Sequence, residues 1–215
     1  LTATASGAGR FVALTGEAGI GKSRLLAALT ACHAGAPFLW LEGRCTEMGS
    51  ATAFGPFVDL LESHFSRRGG ELSEAVRQEM AGLVAAARLG EDEAQEMTSL
   101  FTHLLAPGLR PSQETAPPQG VGELDAQQMQ YRTIGAVCRF VAALCERQPV
   151  VLALDDLHWA DSLSLDLVGQ LLETAASQRL LLLAVYRDDS TAALHRLEQG
   201  AQRVLGRRAE VLRLT

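Results

Sequence analysis

The sequence predicts an α/β fold in three layers, with helices packed about a five-stranded, mainly parallel sheet. Three observations predict it. Short, continuous apolar runs of strand length alternate with longer stretches in which apolar residues recur at helical spacing. The first run ends in a glycine-rich turn that opens directly into a helical pattern. A later run ends in two carboxylates, Asp155 and Asp156, as a strand buried on both faces ends when it reaches solvent.

The elements follow in order. Phe11–Thr15 reads as the first strand, and Leu25, Leu26, Leu29 and Cys32 mark a helix that Gly35 stops. Phe38–Glu42 is the second strand, so the chain opens with a strand-loop-helix-strand unit, the unit of parallel sheets. From about residue 46 to 105 the pattern turns helical and reads as an insertion. Phe57, Leu60, Leu61, His64 and Phe65 form one stripe there, and Leu72–Leu89 and Glu93–Leu105 suggest two further helices. The segment 106–123 carries four prolines and few large apolar residues, so it is expected to be a flexible linker. Leu124–Gln148 is a long helix with Met129, Val137, Val141, Leu144 and Cys145 near one face. After Pro149, Val150–Leu154 is a strand of the fully buried type. Asp161 or Ser162 caps the next helix, whose stripe is Leu165, Val168, Leu171, Leu172 and Ala175. Leu180–Tyr186 is a further buried strand. Leu194, Leu197, Ala201 and Val204 mark a helix, and Glu210–Leu214 the last strand. No internal repeat is present.

At 215 residues, 47% apolar and 20% charged, the chain has the profile of an ordinary globular domain. No apolar run approaches the roughly 20 residues of a membrane span. Leu1–Arg10 lacks the basic-then-apolar pattern of a secretory signal, so a cytoplasmic location is expected. The net charge of −6 gives no field that favours a nucleic-acid backbone. Arg67–Arg68 and Arg207–Arg208 read as solvated surface, and direct DNA contact is not expected. Cys32, Cys45, Cys138 and Cys145 form no CxxC pair and have no His at ligand spacing, so they read as small buried thiols.

Of 19 basic residues 18 are Arg, and the only Lys is Lys22. A retained Lys in such a background points to a site that a planar guanidinium cannot serve. That site is the turn after the first strand. Gly16-Glu17-Ala18-Gly19-Ile20-Gly21-Lys22-Ser23 matches GxxxxGK[ST], the phosphate-binding P-loop, in its required setting between a strand and a helix. The glycines let the backbone wrap a phosphate through otherwise strained angles. The wrapped N–H groups and the helix N-terminus then supply positive potential. Lys22 would reach the outer phosphates of a nucleotide and the Ser23 hydroxyl would ligate Mg²⁺. Together with Arg24, these residues form the expected nucleotide-binding set.

The second half of the expected site is the end of Val150–Leu154. Ligands of open α/β sheets bind at the carboxyl ends of the strands. Asp155 would hold Mg²⁺ opposite Ser23, and Asp156 would polarise the attacking water. If the Leu180–Tyr186 strand lies between the loop strand and the acidic strand, Arg187 comes near the terminal phosphate and would sense it. Asp161 reads as a helix cap and Trp159 as packing.

With these motifs placed, the chain resembles the STAND-type AAA ATPase domain. Gly16–Leu26, the Arg-Cys-Thr-Glu and Phe-Gly-Pro-Phe within Gly43–Leu61, and the Leu-Ala-Leu-Asp-Asp-Leu-His-Trp-Ala-Asp of Leu152–Asp161 carry the resemblance. It is most similar to the version found in large ATP-binding LuxR-type, MalT-like bacterial regulators. The resemblance implies a sheet order 5-1-4-3-2. It also implies a cytoplasmic signal-transducing switch that takes ATP or ADP with Mg²⁺, and self-association of the full-length protein on ATP binding. Gly16, Gly21, Lys22 and Ser23 match its Walker A motif, Asp155 and Asp156 its Walker B motif, and Arg187 its sensor-1 position. The usual Gly-Arg-Glu motif upstream of the loop is missing, so residues 1–215 are expected to be the P-loop domain of a longer protein.

Two other classes share these motifs: a nucleotide-binding scaffold without turnover, and a P-loop small-molecule kinase using the helical region as acceptor pocket. A GTPase is excluded. With no Asn anywhere and its one Lys in the loop, the chain cannot supply a guanine-reading Asn/Thr-Lys-x-Asp motif.

Overall fold

The computed structural model describes residues 7–32, 38–47, 53–67, 71–86, 88–106, 126–188 and 191–215. The Gly35 helix stop, Arg68 and the proline-rich stretch 107–123 lie outside them.

Five strands form one sheet: β1 (Arg10–Thr15), β2 (Leu39–Arg44), β3 (Val150–Asp155), β4 (Leu180–Val185) and β5 (Ala209–Arg213). Their spatial order is β2-β3-β4-β1-β5, as the resemblance implies, and every pairing is parallel. β3 and β4 are buried at every residue, which is why both read as unbroken apolar runs rather than as alternation.

The helices are α1 (Lys22–Cys32), α2 (Gly55–Ser66), α3 (Leu72–Ala85), α4 (Glu91–Leu104), α5 (Ala126–Arg147), α6 (Ser162–Ser177) and α7 (Ala192–Leu205). Alternate strand residues divide between two cores. Phe11, Leu41, Leu152, Leu154 and Leu182 join the larger one with apolar residues from α2 through α7. Leu14, Ala153, Leu183 and Val185 face the other way and pack with Leu26 of α1. Among the described residues the three layers are thus unequal: α1 is the one helix in the second core, and six helices lie over the first.

Several expectations need correction in detail. α3 ends at Ala85, short of Leu89, because the Arg88 N–H reaches back to the Leu83 carbonyl at 2.9 Å and closes the helix. Between the two candidate caps of α6 the structure selects Asp161, whose carboxylate accepts the Ser164 N–H at 2.9 Å. Arg208 is not a solvated surface residue. Its guanidinium donates to the Gly9 carbonyl at 3.2 Å and to Ala176 at 3.4 Å, tying the start of β1 to the end of α6. Cys32 is exposed and Cys138 half-buried, so only Cys45 and Cys145 are the buried thiols expected of all four. Cys32 closes the last turn of α1, beyond the part of that helix that reaches the sheet.

Candidate functional site

Because all five strands run the same way, the glycine loop after β1 and the acid pair after β3 open on one edge of the sheet. β4 lies between them, so at roughly 4.8 Å per strand their strand ends stand about 10 Å apart. Side-chain alternation sets the direction. Ala153 belongs to the core under α1, and Asp155, two residues on, shares its face. The buried Asp155 carboxylate therefore lies on the side of the sheet where α1 begins with Lys22 and Ser23.

The loop is built by backbone geometry. Gly19 and Gly21 hold φ of +79° and +105°, which residues with a Cβ rarely adopt, and both have open space where a side chain would stand. Glu17, Ala18, Gly19 and Ile20 are exposed along the crest, and Gly21 is half-buried. Lys22 is buried, with its Nζ donating to the Gly16 and Glu17 carbonyls at 2.8 Å each. The ammonium thus lies inside the curl of its own loop. Ser23 and Arg24 are exposed on the first turn of α1.

The acidic end is built by side chains. Asp155 Oδ1 accepts the Asp156 N–H at 2.9 Å, and the Cys45 N–H donates to the Asp155 carbonyl at 3.0 Å. Asp156 itself has φ of +56°, a left-handed turn that Asp tolerates better than most residues and that swings the chain off the sheet into the turn Leu157–Trp159. Its carboxylate pairs with Arg44 at 3.3 Å. Four carboxylates, Asp161, Asp156, Asp155 and Asp59, add to burial in pushing the Cys45 thiol up to about 12.

Arg187 lies two residues beyond the end of β4, after Tyr186, and β4 does lie between β1 and β3. Its guanidinium sits 5.8 Å from the centroid of the Trp159 ring, a cation–π distance. Tyr186 anchors that strand end: its buried hydroxyl donates to Glu198 of α7, and burial together with this bond raises its pKa. Trp159 packs against the larger core, as expected, and also supports Arg187. His158 stacks beside Trp159, with ring centroids 5.0 Å apart.

The structure thus brings Gly16–Arg24, Asp155, Asp156 and Arg187 to one edge of the sheet. Sequence reasoning missed Arg44 and Asp59. The signal for Arg44 is its position as the last residue of a strand beside the acidic one. Asp59 lies on a helix whose place over β2 no local pattern reveals.

Among the described residues no group of three or more His, Cys, Asp or Glu is set to hold a metal ion. No described helix is long and apolar enough to cross a membrane.

The family model described as an AAA ATPase domain matches residues 1–183. An uncharacterized protein of Rhizobium meliloti (strain 1021) is 26% identical over 182 residues, which is 85% of this chain and 16% of that protein. The chain therefore spans under a fifth of the curated relative's length. Among solved structures, VirB4 of Thermoanaerobacter pseudethanolicus aligns with 94% of this chain and 76% of its own, at 11% identity and a TM-score of 0.36.

Proposed function

Since the chain belongs to the AAA ATPase domain family, we propose that it binds Mg²⁺ and ATP between Gly16–Arg24 and Asp155–Asp156 and hydrolyses the nucleotide slowly. The observation that carries the reading is the shared edge and shared face of the Lys22 loop and the Asp155 carboxylate. Loop N–H groups and the Lys22 ammonium hold the phosphates. The ammonium, already out of water, exchanges its two carbonyl partners for phosphate oxygens. Mg²⁺, held by Ser23 and Asp155, would supply charge neutralisation to the leaving diphosphate. Asp156 polarises a water that attacks the terminal phosphorus. The P–O bond to ADP breaks, the electron pair leaves with ADP, and the water's proton passes to Asp156 and then to solvent.

Arg187 is the sensor: it leaves the Trp159 face for the terminal phosphate, and hydrolysis returns it. The biological setting we propose is a regulatory switch in a longer cytoplasmic protein of the STAND type. It would be closed with ADP and self-associating with ATP, as a module of a LuxR-type, MalT-like transcription regulator. The domain itself makes no DNA contact in this scheme.

Calorimetry and phosphate release test the core of it. Lys22→Ala should weaken ATP binding by about ten- to a hundredfold, the worth of hydrogen bonds to a charged group. Asp156→Asn should leave binding intact and lower turnover by about a hundredfold or more. Equal ATP affinity in wild type and Lys22→Ala would refute nucleotide binding by this loop. Tight ADP retention with turnover unchanged in Asp156→Asn would move the domain to the non-hydrolysing scaffold class.

A further inference from the structure

α6 packs between α5 and α7, and the three helices line a surface groove of about 890 Å³. α6 forms its floor, and α7 stands as a ridge beside it. Along the floor, Asp166, Gly169 and Glu173 follow one another at helical spacing. Along the ridge, Arg196, Gly200 and Arg203 do the same. One stripe is acidic and the other basic, each with a glycine near its middle. Among the described residues none of these four charged side chains forms an ion pair.

The two stripes are in register. α6 and α7 lie on one face of a parallel sheet and each leads from one strand to a later one, so they run in the same direction. Asp166 and Arg196 are the fifth residues of their helices, and Glu173 and Arg203 the twelfth. Leu172 lies 3.8 Å from where a Cβ on Gly200 would stand, which sets the two helices level. A half-turn about an axis running along the helices, midway between the stripes, therefore lays each acidic stripe on a basic one. A half-turn about an axis across the helices would lay acid on acid, which repels.

We infer that this face pairs with a second copy of the chain, α7 of each copy seated on α6 of the other. Asp166 then meets the partner's Arg196, Glu173 meets the partner's Arg203, and the symmetry repeats both pairs. The ridge of one copy fills the trough of the other, as a two-fold contact requires. The exposed Tyr131 ring, on the α5 wall, closes against the side of the partner's α7. The glycines point to a contact from outside the chain. Glycine inside a helix is destabilising relative to alanine. A Cβ on Gly169 would meet nothing within 4 Å and one on Gly200 only ordinary contact, so packing within the chain requires neither. Facing one another across the axis, they let the two helix backbones approach closely. No residue of the nucleotide edge takes part. The contact forms with or without ATP, is separate from the ATP-linked assembly of the longer protein, and is independent of the roles given to Lys22 and Asp155.

Sedimentation velocity of the 215-residue chain without nucleotide, up to about 0.5 mM, tests the pairing. Wild type should form a dimer. Asp166→Arg with Glu173→Arg makes both stripes basic; Arg196→Glu with Arg203→Glu makes both acidic. Each double variant alone should sediment as monomer, its Kd raised about a hundredfold by like charges in contact. The first of them also brings the net charge from −6 toward zero, so general repulsion between chains does not account for its dissociation. An equimolar mixture of the two should recover the dimer, because every basic stripe then finds an acidic one. Gly169→Gln, whose side chain meets open space within one chain, should weaken the dimer about tenfold without lowering the urea midpoint, and guards against misfolding of the charge variants. A wild type that stays monomeric throughout, as it would if the groove served a different protein, overturns the pairing. So does a dimer in either double variant alone, a mixture that stays monomeric, or a dimer untouched by Gly169→Gln.

Discussion

At the β1 end of the sheet the backbone does the holding; at the β3 end side chains from distant segments do it. The loop Gly16–Ser23 needs only its own glycines, the helix behind it and one ammonium bonded to its own carbonyls. The acid pair is surrounded by Arg44, Cys45, Asp59 and Asp161, which arrive from β2, the residue after it, α2 and the cap of α6. On the proposed reading, the first arrangement is a self-contained receptor for phosphate. The second is a junction, where movement elsewhere can be felt by a carboxylate.

That contrast can be broken experimentally, first at the thiols. Cys32 lies exposed on α1 behind the loop, whereas Cys45 is buried in the acidic junction. Burial and nearby carboxylates push Cys45 up to about 12, so almost none of it is thiolate at pH 8. A disulfide reagent at that pH should label Cys32 roughly a hundredfold or more faster than Cys45. The stability consequence has a definite sign. A thiol held at about 12 in the fold and near 9.0 when unfolded leaves stability whole below pH 9.0 and erodes it as pH rises from there to about 12. Cys145, at about 12, and Cys138, at about 11, act in the same direction, both through burial. Urea midpoints falling steadily above pH 9.0 are the expected record; equal labelling of Cys32 and Cys45 in the folded chain would erase the contrast.

Two glycines sharpen it. Gly43→Ala forces a Cβ into the Pro56 carbonyl oxygen, and overpacking against backbone should cost about 3 kcal/mol in urea unfolding. Gly19→Ala meets open space and only a left-handed backbone penalty, so about 1–2 kcal/mol is expected, with the larger change in nucleotide affinity. The junction glycine should thus govern stability and the loop glycine binding. Asp161→Ala removes the cap of α6 and the acceptor of Phe54, and should lower stability by about 1 kcal/mol while leaving ATP affinity unchanged.

The same contrast explains what was legible in the sequence. The loop's chemistry is written in eight consecutive residues between a strand and a helix, and no distant contact is needed to build it. β3 and β4 were equally plain, because complete burial leaves an unbroken apolar run. Arg44 and Asp59 were not visible as site residues. Their relation to Asp156 exists only once β2 pairs with β3 and α2 settles on β2, and neither event leaves a local pattern. Arg208 was misread for the same reason: an Arg pair near the end of a chain looks solvated until β1 and α6 meet beside it. The burial of Cys32 was overestimated because helical spacing gives the apolar face of α1 without showing where the sheet stops beneath it.

The central claim is that the loop and the acid pair grip one nucleotide-bound Mg²⁺. ATP affinity should be measured by calorimetry with and without Mg²⁺ in wild type, Ser23→Ala, Asp155→Asn and the double variant. If Ser23 and Asp155 serve one ion, each single variant loses most of the Mg²⁺ dependence and the double variant is little worse than either. Full Mg²⁺ dependence in Asp155→Asn, or losses that add independently, would contradict a shared ion and with it the functional assignment of this edge of the sheet.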